Sequence, residues 1–383
     1  MTHFTPQFLD QLSQNIKEWG KALGFQQVGI CDTDVSAHQA HLQNWIEKGY
    51  HGDMAFFERN QEKRIDPAEL LPGTCRVISV RMDYLPPDAS FATDLKRSEI
   101  AYISRYAHGR DYHKLVRNRL KQLGQKIAQQ FEGLAFRPFV DSAPVLEHAL
   151  AEKAGLGWTG KHTLTINESA GSWFFLGELF VNIPLPIDQP VEEKCGTCTA
   201  CLTICPTGAI VAPYQVDARK CISYLTIEHD SAIPEQLRPL MGNRIYGCDD
   251  CQLICPWNRY ANLTEESDFF SREGMKSEKL ITLFSWDETA FLHNTEGSPI
   301  RRIGFQKWQR NIAVALGNAD YDQRIVELLN NSLPHASPLV AEHIQWAIEQ
   351  QTQRAQQATD TSIPIRLRQR LVRSIDKGLP RDA

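Results

Sequence analysis

Eight of the ten cysteines of this chain fall between positions 195 and 255. Their order is Cys195-x2-Cys198-x2-Cys201-x3-Cys205-Pro206, then a lone Cys221, then Cys248-x2-Cys251-x3-Cys255-Pro256. No other feature restricts the fold so strongly, because ligands converging on one inorganic centre fix the path of the chain around it. The first run has the ligand spacing of chains that hold two [4Fe–4S] clusters, in which the fourth Cys serves the other cluster. Crossing over in this way gives one cluster Cys195, Cys198, Cys201 and Cys255. The second takes Cys205, Cys248 and Cys251. A symmetric arrangement would draw its last ligand from position 245, which is Ile245. Cys221 is the spare thiolate nearby and completes the second set. Soft thiolates suit iron–sulfur centres, two-residue gaps let neighbours meet one cubane, and Pro206 and Pro256 end each run.

The competing reading is a pair of structural zinc sites with four cysteines each. The tight triple Cys195/Cys198/Cys201 and the x3-Cys-Pro ending used twice favour iron–sulfur. Disulfides are not expected, since dense CxxC spacing without a secretory signal points to metal or redox work. The first residues, MTHFTPQFLDQLSQNIKEWGKALGF, lack a basic n-region and an apolar h-region, and read as an amphipathic helix from about Pro6 to Leu23. No apolar run nears the roughly 20 residues of a bilayer span, so a cytoplasmic protein without a membrane partner is expected.

Apolar residues make up 42% of the chain and charged residues 23%, which places it among globular proteins. A net charge of −5 does not announce a nucleic-acid binder. Two stretches are nevertheless basic. One holds Arg105, Arg110, Lys114, Arg117, Arg119, Lys121 and Lys126. The other, from Thr361 to Ala383, holds Arg366, Arg368, Arg370, Arg373, Lys377 and Arg381 against Asp376 and Asp382. Such patches can contact phosphates, although charge alone favours a solvated helix face.

The length admits two or three domains. Ahead of the cysteines, strand and helix patterns alternate. Strands are expected at Gly24–Asp32, Cys75–Met82 (alternating), Ala101–Tyr106, Arg137–Asp141 and Ser172–Asn182 (buried). Helices are expected at His41–Gly49, Tyr112–Phe131 and Ser142–Ala154, the last with Pro144 in its first turn. Pro184, Pro186 and Pro190 mark a linker. From Leu280 onward the pattern is helical. RNIAVALGN, from Arg310, is echoed about 32 residues later by HIQWAI, from His343, which points to a short solenoid piece of HEAT type. The expected fold class is therefore α+β and multidomain, with an α/β domain over 1–185, a ferredoxin-like two-cluster domain over 186–262 and an α-helical HEAT-like region over 263–383.

Outside the cysteines, Gly155-Leu156-Gly157-Trp158-Thr159-Gly160 fits G-x-G-x-x-G. A dinucleotide fingerprint follows a strand and opens a helix. This one follows a helix and leads into the strand-like Thr163–Ile166, so it reads as a helix C-cap and a permissive loop that lets main chain approach a large flat ligand, flanked by Lys161 and His162. Asp141 stands at a strand-to-helix junction. It is either an N-cap, which would lower its pKa, or a carboxyl kept protonated in an apolar pocket. Residue chemistry leaves these even. Glu147 reads as a surface helix residue, and Cys31 and Cys75 as buried core thiols.

Several pieces together resemble the epoxyqueuosine reductase family: YAxGRDYH from Tyr106, DSAPVLE from Asp141, AGLGWxGK from Ala154, CPTGAI from Cys205, CISYLT from Cys221 and GCDDCQ from Gly247. The resemblance covers essentially the whole chain. It implies an oxidoreductase that reduces epoxyqueuosine to queuosine at the wobble position of tRNA, the last step of queuosine synthesis. It implies cobalamin in the N-terminal domain, two [4Fe–4S] clusters, tRNA binding helped by the HEAT-like region, an unidentified electron donor and a monomer. Carried over by motif, Asp141 is the proton donor. Asp141, Arg64, Lys161, His162, Thr165 and Ser223 would border the cobalamin, although His162 replaces an Asn expected after Gly-Lys in some relatives. Tyr102, Tyr106, Tyr112 and Trp257 are candidates for stacking on unpaired bases, with core packing as the alternative. Rival readings are a reductive dehalogenase-like enzyme on a small molecule, an electron-transfer module and a zinc-dependent RNA-binding protein.

Overall fold

The computed structural model describes residues 5–356 and 363–378. The chain gathers into two compact units, each assembled from separate stretches: Met1–Tyr84, Asp111–Cys198 and Tyr260–Glu266 in the first, and Leu85–Arg110, Thr199–Arg259 and Ser267–Ala383 in the second. Thr361, Arg381 and Asp382 of the basic tail lie outside the described residues. No helix among the described residues is long and apolar enough to cross a membrane.

The first unit is built on an antiparallel sheet. Strand Arg76–Asp83 pairs with Gln27–Cys31 on one side and with Phe174–Val181 on the other, and Phe136–Phe139 closes the far edge. The alternation read over Cys75–Met82 would leave one face in water. Both faces are in fact covered: Ser79, Arg81 and Asp83 are buried with their apolar neighbours, as is every residue of FFLGELFV. Helix Pro6–Ala22 begins at a Thr5 cap, whose hydroxyl accepts from the Phe8 amide. Helix Tyr112–Ala128 begins at an Asp111 cap, which accepts from the His113 amide.

One expected helix is much shorter. Ser142–Ala154 is helical only over Glu147–Lys153. Asp141 has a left-handed φ of 52°, Ala143 precedes Pro144 and so disfavours helical backbone, and two tight turns carry the chain instead, from the Ser142 amide to Val140 O and from the Val145 amide to Ala143 O. Asp141 therefore caps no helix; the residue before Glu147 is Leu146, whose side chain makes no capping bond.

In the second unit, the strand expected over Ala101–Tyr106 shrinks to Tyr102–Ile103, paired in parallel with Arg244–Tyr246. Helices Gly304–Asn318 and Pro338–Ala355 pack on each other. The first carries Arg310 and Asn311 into the core. Arg310 donates to the carbonyls of Leu225, His229 and Ser231 at 2.6–2.8 Å, and Asn311 to those of Thr226 and Ile245 at 2.8 and 3.0 Å. The helical stretch and the segment after Cys221 thus share one core.

Candidate functional site

Helix Tyr112–Ala128 and the turn at Asp141 build the centre of the first unit's site. The Tyr112 hydroxyl donates to Asp141 Oδ2. His113 Nε2 lies 3.2 Å from the same oxygen, and its Nδ1 faces Asp111 Oδ1 at 2.6 Å. Tyr112 is itself fixed, stacked on Phe175 at 3.9 Å between ring centres and on His113 at 4.1 Å. The Asp141 side chain is 56% exposed, so the apolar pocket considered for it is not its setting. A solvent-facing carboxyl held by a phenol, with an imidazole beside it, can present one oxygen to a ligand and exchange a proton there.

Beneath the turn lies a pair of acids that sequence reasoning missed. The Asp141 amide donates to Glu147 Oε1, and the Glu147 carboxyl is hydrogen-bonded to that of Glu178. Glu178 is 0% exposed, and its Oε1 accepts from Ser79 Oγ at 3.3 Å. Burial pushes Glu178 up to about 8, and burial with the charges of Glu178 and Asp141 pushes Glu147 well up. Glu147 is therefore no free surface residue. The signal was present in the sequence: a lone Glu inside the otherwise apolar FFLGELFV.

The residues expected beside a cofactor divide. His162 is buried, and burial followed by the charge of His148 lowers its pKa to about 4. Its Nδ1 accepts from the Leu164 amide at 3.1 Å, so the neutral ring carries its proton on Nε2, which is buried without a partner. Arg64 is buried over the Phe57 ring, its Nε likewise unpaired, and its pKa is lowered by burial against the attraction of Glu147. Thr165 is buried and its hydroxyl meets His148 Nδ1 at 2.7 Å. Lys161 is committed elsewhere: its Nζ donates to the carbonyls of Gly196 and Cys198 at 2.5 and 3.0 Å. The glycine-rich loop after Ala154 follows a helix and enters a hairpin, Trp158–Thr159 with Thr165–Ile166, in keeping with the rejection of a dinucleotide site. Gly155 takes the C-cap conformation at φ 74°. At Gly157 a Cβ would stand 2.2 Å from Ile166 O, so this glycine serves hairpin packing rather than the approach of a flat ligand.

The cysteines are distributed over both units, Cys195 and Cys198 in the first and the remaining six of the motif in the second. Burial raises the pKa of Cys195, against the smaller opposing pull of the nearby Lys161 amide and Trp158 indole. In the second unit Cys205, Cys221 and Cys251 stand within electrostatic reach of one another, and Cys248 within reach of Cys251. Cys221 sits at the start of helix Ile222–Ile227, where burial raises its pKa against the smaller opposing pull of the Tyr224 and Ser223 amides. Cys205 sulfur accepts from the Ala209 amide at 3.3 Å. Ser223 belongs to this second unit. Ile245, where a symmetric motif would place a ligand, is fully buried in the core. Among the described residues no three such groups converge closely enough for a single metal ion; a cubane binds each thiolate at a different iron, so its ligands need not meet at a point. Of the remaining cysteines, Cys31 is buried, which pushes its thiol up to about 12, and Cys75 is partly buried.

The basic stretch around helix Tyr112–Ala128 is also uneven. Arg105 is buried in an ion pair with Asp94 at 2.7 Å, and Arg119 pairs with Glu266, whereas Lys114, Arg117, Lys121 and Lys126 are exposed. Tyr102 is wholly buried with its hydroxyl on Asp249 at 2.9 Å, and Tyr112 is buried on Asp141, so neither is free to stack on a base. Tyr106 and Trp257 are partly exposed.

Residues 64–142 match the family described as "Epoxyqueuosine reductase QueG, DUF1730", and residues 194–258 match "4Fe-4S double cluster binding domain". The chain is 64% identical over 378 residues to the epoxyqueuosine reductase of Escherichia coli K12, covering 99% of both chains. It is 59% identical over 373 residues to that of Vibrio cholerae, covering 97% of this chain and 99% of the relative. Its fold matches a solved epoxyqueuosine reductase bound to an epoxyqueuosine-modified stem loop of tyrosine tRNA, with a TM-score of 0.81 at 26% identity over 96% of this chain and 99% of the other. A Bacillus subtilis epoxyqueuosine reductase, solved with a catalytic aspartate loop swung out of its active site, matches with a TM-score of 0.81 at 26% identity over 96% of this chain and 98% of the other. The chain belongs to the epoxyqueuosine reductase family.

Proposed function

We propose that this chain reduces epoxyqueuosine to queuosine at the wobble position of tRNA, the last step of queuosine synthesis, with cobalamin, two [4Fe–4S] clusters and Asp141 as proton donor. The observation that carries the reading is the exposed Asp141 carboxyl held by Tyr112 beside His113, in a chain 64% identical to a named epoxyqueuosine reductase. The swung-out catalytic aspartate loop of the Bacillus subtilis relative supports placing the acid on the turn at Asp141.

The first unit offers suitable partners for a large amide- and phosphate-bearing cofactor. The unpaired His162 Nε2–H and Arg64 Nε–H are buried donors, and a buried donor without an acceptor is costly. Thr165 and His148 add hydroxyl and imidazole beside them. Cobalamin, when bound, would supply the two electrons of the reduction, in which both epoxide C–O bonds break and the oxygen leaves as water with two protons. Asp141 then delivers a proton to the departing oxygen, which would otherwise leave as an alkoxide. Tyr112 and His113 orient that carboxyl, and its exposure lets it regain a proton from solvent. The eight cysteines Cys195, Cys198, Cys201, Cys255, Cys205, Cys221, Cys248 and Cys251 hold the clusters in two sets of four, with the N–H···S bond from Ala209 to Cys205 adjusting the potential. The exposed Lys114, Arg117, Lys121 and Lys126 hold tRNA phosphates, and the paired helices Gly304–Asn318 and Pro338–Ala355 act as a HEAT-like support. The protein works as a cytoplasmic monomer fed by a separate electron donor.

The test is anaerobic reconstitution with iron, sulfide and cobalamin, followed by nucleoside mass analysis of epoxyqueuosine-containing tRNA. Conversion to queuosine is expected. No conversion by protein loaded with both clusters and cobalamin refutes the reading.

A further inference from the structure

We propose that Glu147 and Glu178 form a proton-sharing carboxyl pair that latches the Asp141 turn, which makes Glu147 a positioning residue for proton delivery. The inference rests on the reading of Asp141 as the proton donor. Two carboxyl groups hydrogen-bond only if one of them carries a proton. Glu147 and Glu178 are so bonded, and Glu178 Oε2 is buried with no other donor. Glu178 lies opposite Ser79 and Phe139 in the sheet, which anchors the pair to the most rigid part of the unit. The other Glu147 oxygen, Oε1, accepts the Asp141 amide.

That amide needs holding. Asp141 is a non-glycine residue in left-handed backbone, a conformation that persists where its surroundings enforce it. Tyr112 holds the side chain, with His113 Nε2 3.2 Å from the same oxygen, and the Glu147 bond ties the Asp141 amide to the sheet. The titratable groups facing the pair are few. Arg64 acts on Glu147 from helix Gln61–Ile65, Asp141 acts on both acids from the turn, and Cys31 faces Glu178 from the edge strand. One buried cation against three carboxyls leaves no partner for a second negative charge on the pair. Protonated, the pair is a donor–acceptor chain running from Ser79 to the Asp141 amide. Loss of the shared proton turns it into two repelling anions beneath Asp141 and releases the turn. Burial raises both acids, and the bond between them favours the ionised form of Glu178 and the protonated form of Glu147; Glu178 therefore ionises first, at about 8, Glu147 keeps the shared proton beyond that, and the latch is closed through pH 8 and opens as pH climbs through the higher range of Glu147.

The experiment uses full-length reconstituted enzyme and two substitutions. Glu147→Gln keeps an oxygen for the Asp141 amide and an N–H for Glu178, which mimics the protonated acid. It is expected to keep kcat near neutrality and to lose the alkaline fall above pH 8. Glu147→Ala removes the latch, and displacement of the acid is expected to lower kcat about 100-fold with KM for tRNA unchanged. The independent readout is hydrogen exchange at the Asp141 amide, normalised to its intrinsic rate: protection lost in Glu147→Ala and, in the native chain, once pH has risen beyond the titration of Glu147, but kept in Glu147→Gln across the same range. Native-like protection in Glu147→Ala, or an unaltered alkaline limb in Glu147→Gln, overturns the proposal. Amide exchange does not depend on Asp141 being an acid, so failure of the proton-donor reading is distinguishable from failure of the latch.

Discussion

Replacing Asp141 with Asn separates chemistry from architecture at one position. The change removes the transferable proton and little else. Asn is among the few residues enriched in left-handed backbone, so the φ of 52° remains accessible. The side chain is more than half exposed, so core packing is unchanged, and Asn Oδ1 still accepts from Tyr112. The expected cost in stability is within about 0.5 kcal/mol. The expected loss in turnover is that of general-acid catalysis, about 10²–10⁴-fold, which corresponds to about 3–5 kcal/mol of barrier. Asp141→Ala behaves differently. It leaves the buried Tyr112 hydroxyl without this acceptor and puts Ala, which lacks the local side-chain hydrogen bonding of Asp and Asn, in a conformation costing roughly 1–2 kcal/mol, so it lowers the melting temperature as well. The assay is single-turnover conversion of epoxyqueuosine tRNA under anaerobic conditions, with cobalamin binding followed by absorbance and stability by thermal melting. An Asn variant within threefold of the native rate refutes the acid role, as would a rate loss that merely tracks lost cobalamin.

Three further expectations rest on particular residues. Cys221→Ser should leave one cluster intact and abolish the other, roughly halving bound iron and sulfide if each cluster takes four thiolates; full iron content would remove Cys221 from the ligand set. Arg310→Leu strands the carbonyls of Leu225, His229 and Ser231, and at about 1–3 kcal/mol for each unmet buried group the second unit should unfold at clearly lower urea, whereas an unmoved midpoint would show those carbonyls satisfied otherwise. Arg117→Glu with Lys121→Glu should weaken tRNA binding and flatten its salt dependence, by a log–log slope of about 0.7–0.9 for each phosphate no longer neutralised; anisotropy titrations giving a native slope would move the interface off this helix.

How far expectation and structure agree depends on how local each feature is. Helix Pro6–Ala22 was legible because its cap, first-turn proline and apolar spacing all lie within it or beside it. The helix expected from Ser142 failed because a periodic pattern was read through Pro144, whose restriction on Ala143 is stronger than the propensity of its neighbours. Tyr102 and Arg105 looked like surface recognition residues by type, yet both are core, because Asp249 and Asp94 supply the buried acceptors that make their polar ends tolerable there.

The sequence by itself determined the cluster-binding segment, since ligand spacing within a short run is a property of the chain and needs no fold to be read. It also carried the family resemblance, and it placed Asp141 at a junction without saying what surrounds it. Only the tertiary structure decided that surrounding. Tyr112, Glu147, Glu178 and Ser79 come from four different elements, and their meeting depends on the register of Phe174–Val181 against Arg76–Asp83. Hydrogen bonds between residues so far apart in the chain leave no periodic trace, because each is fixed by how elements stack and not by what precedes it. The acid pair is the result: a lone buried Glu in an apolar strand, explicable once the fold brings a second carboxyl and a shared proton to it.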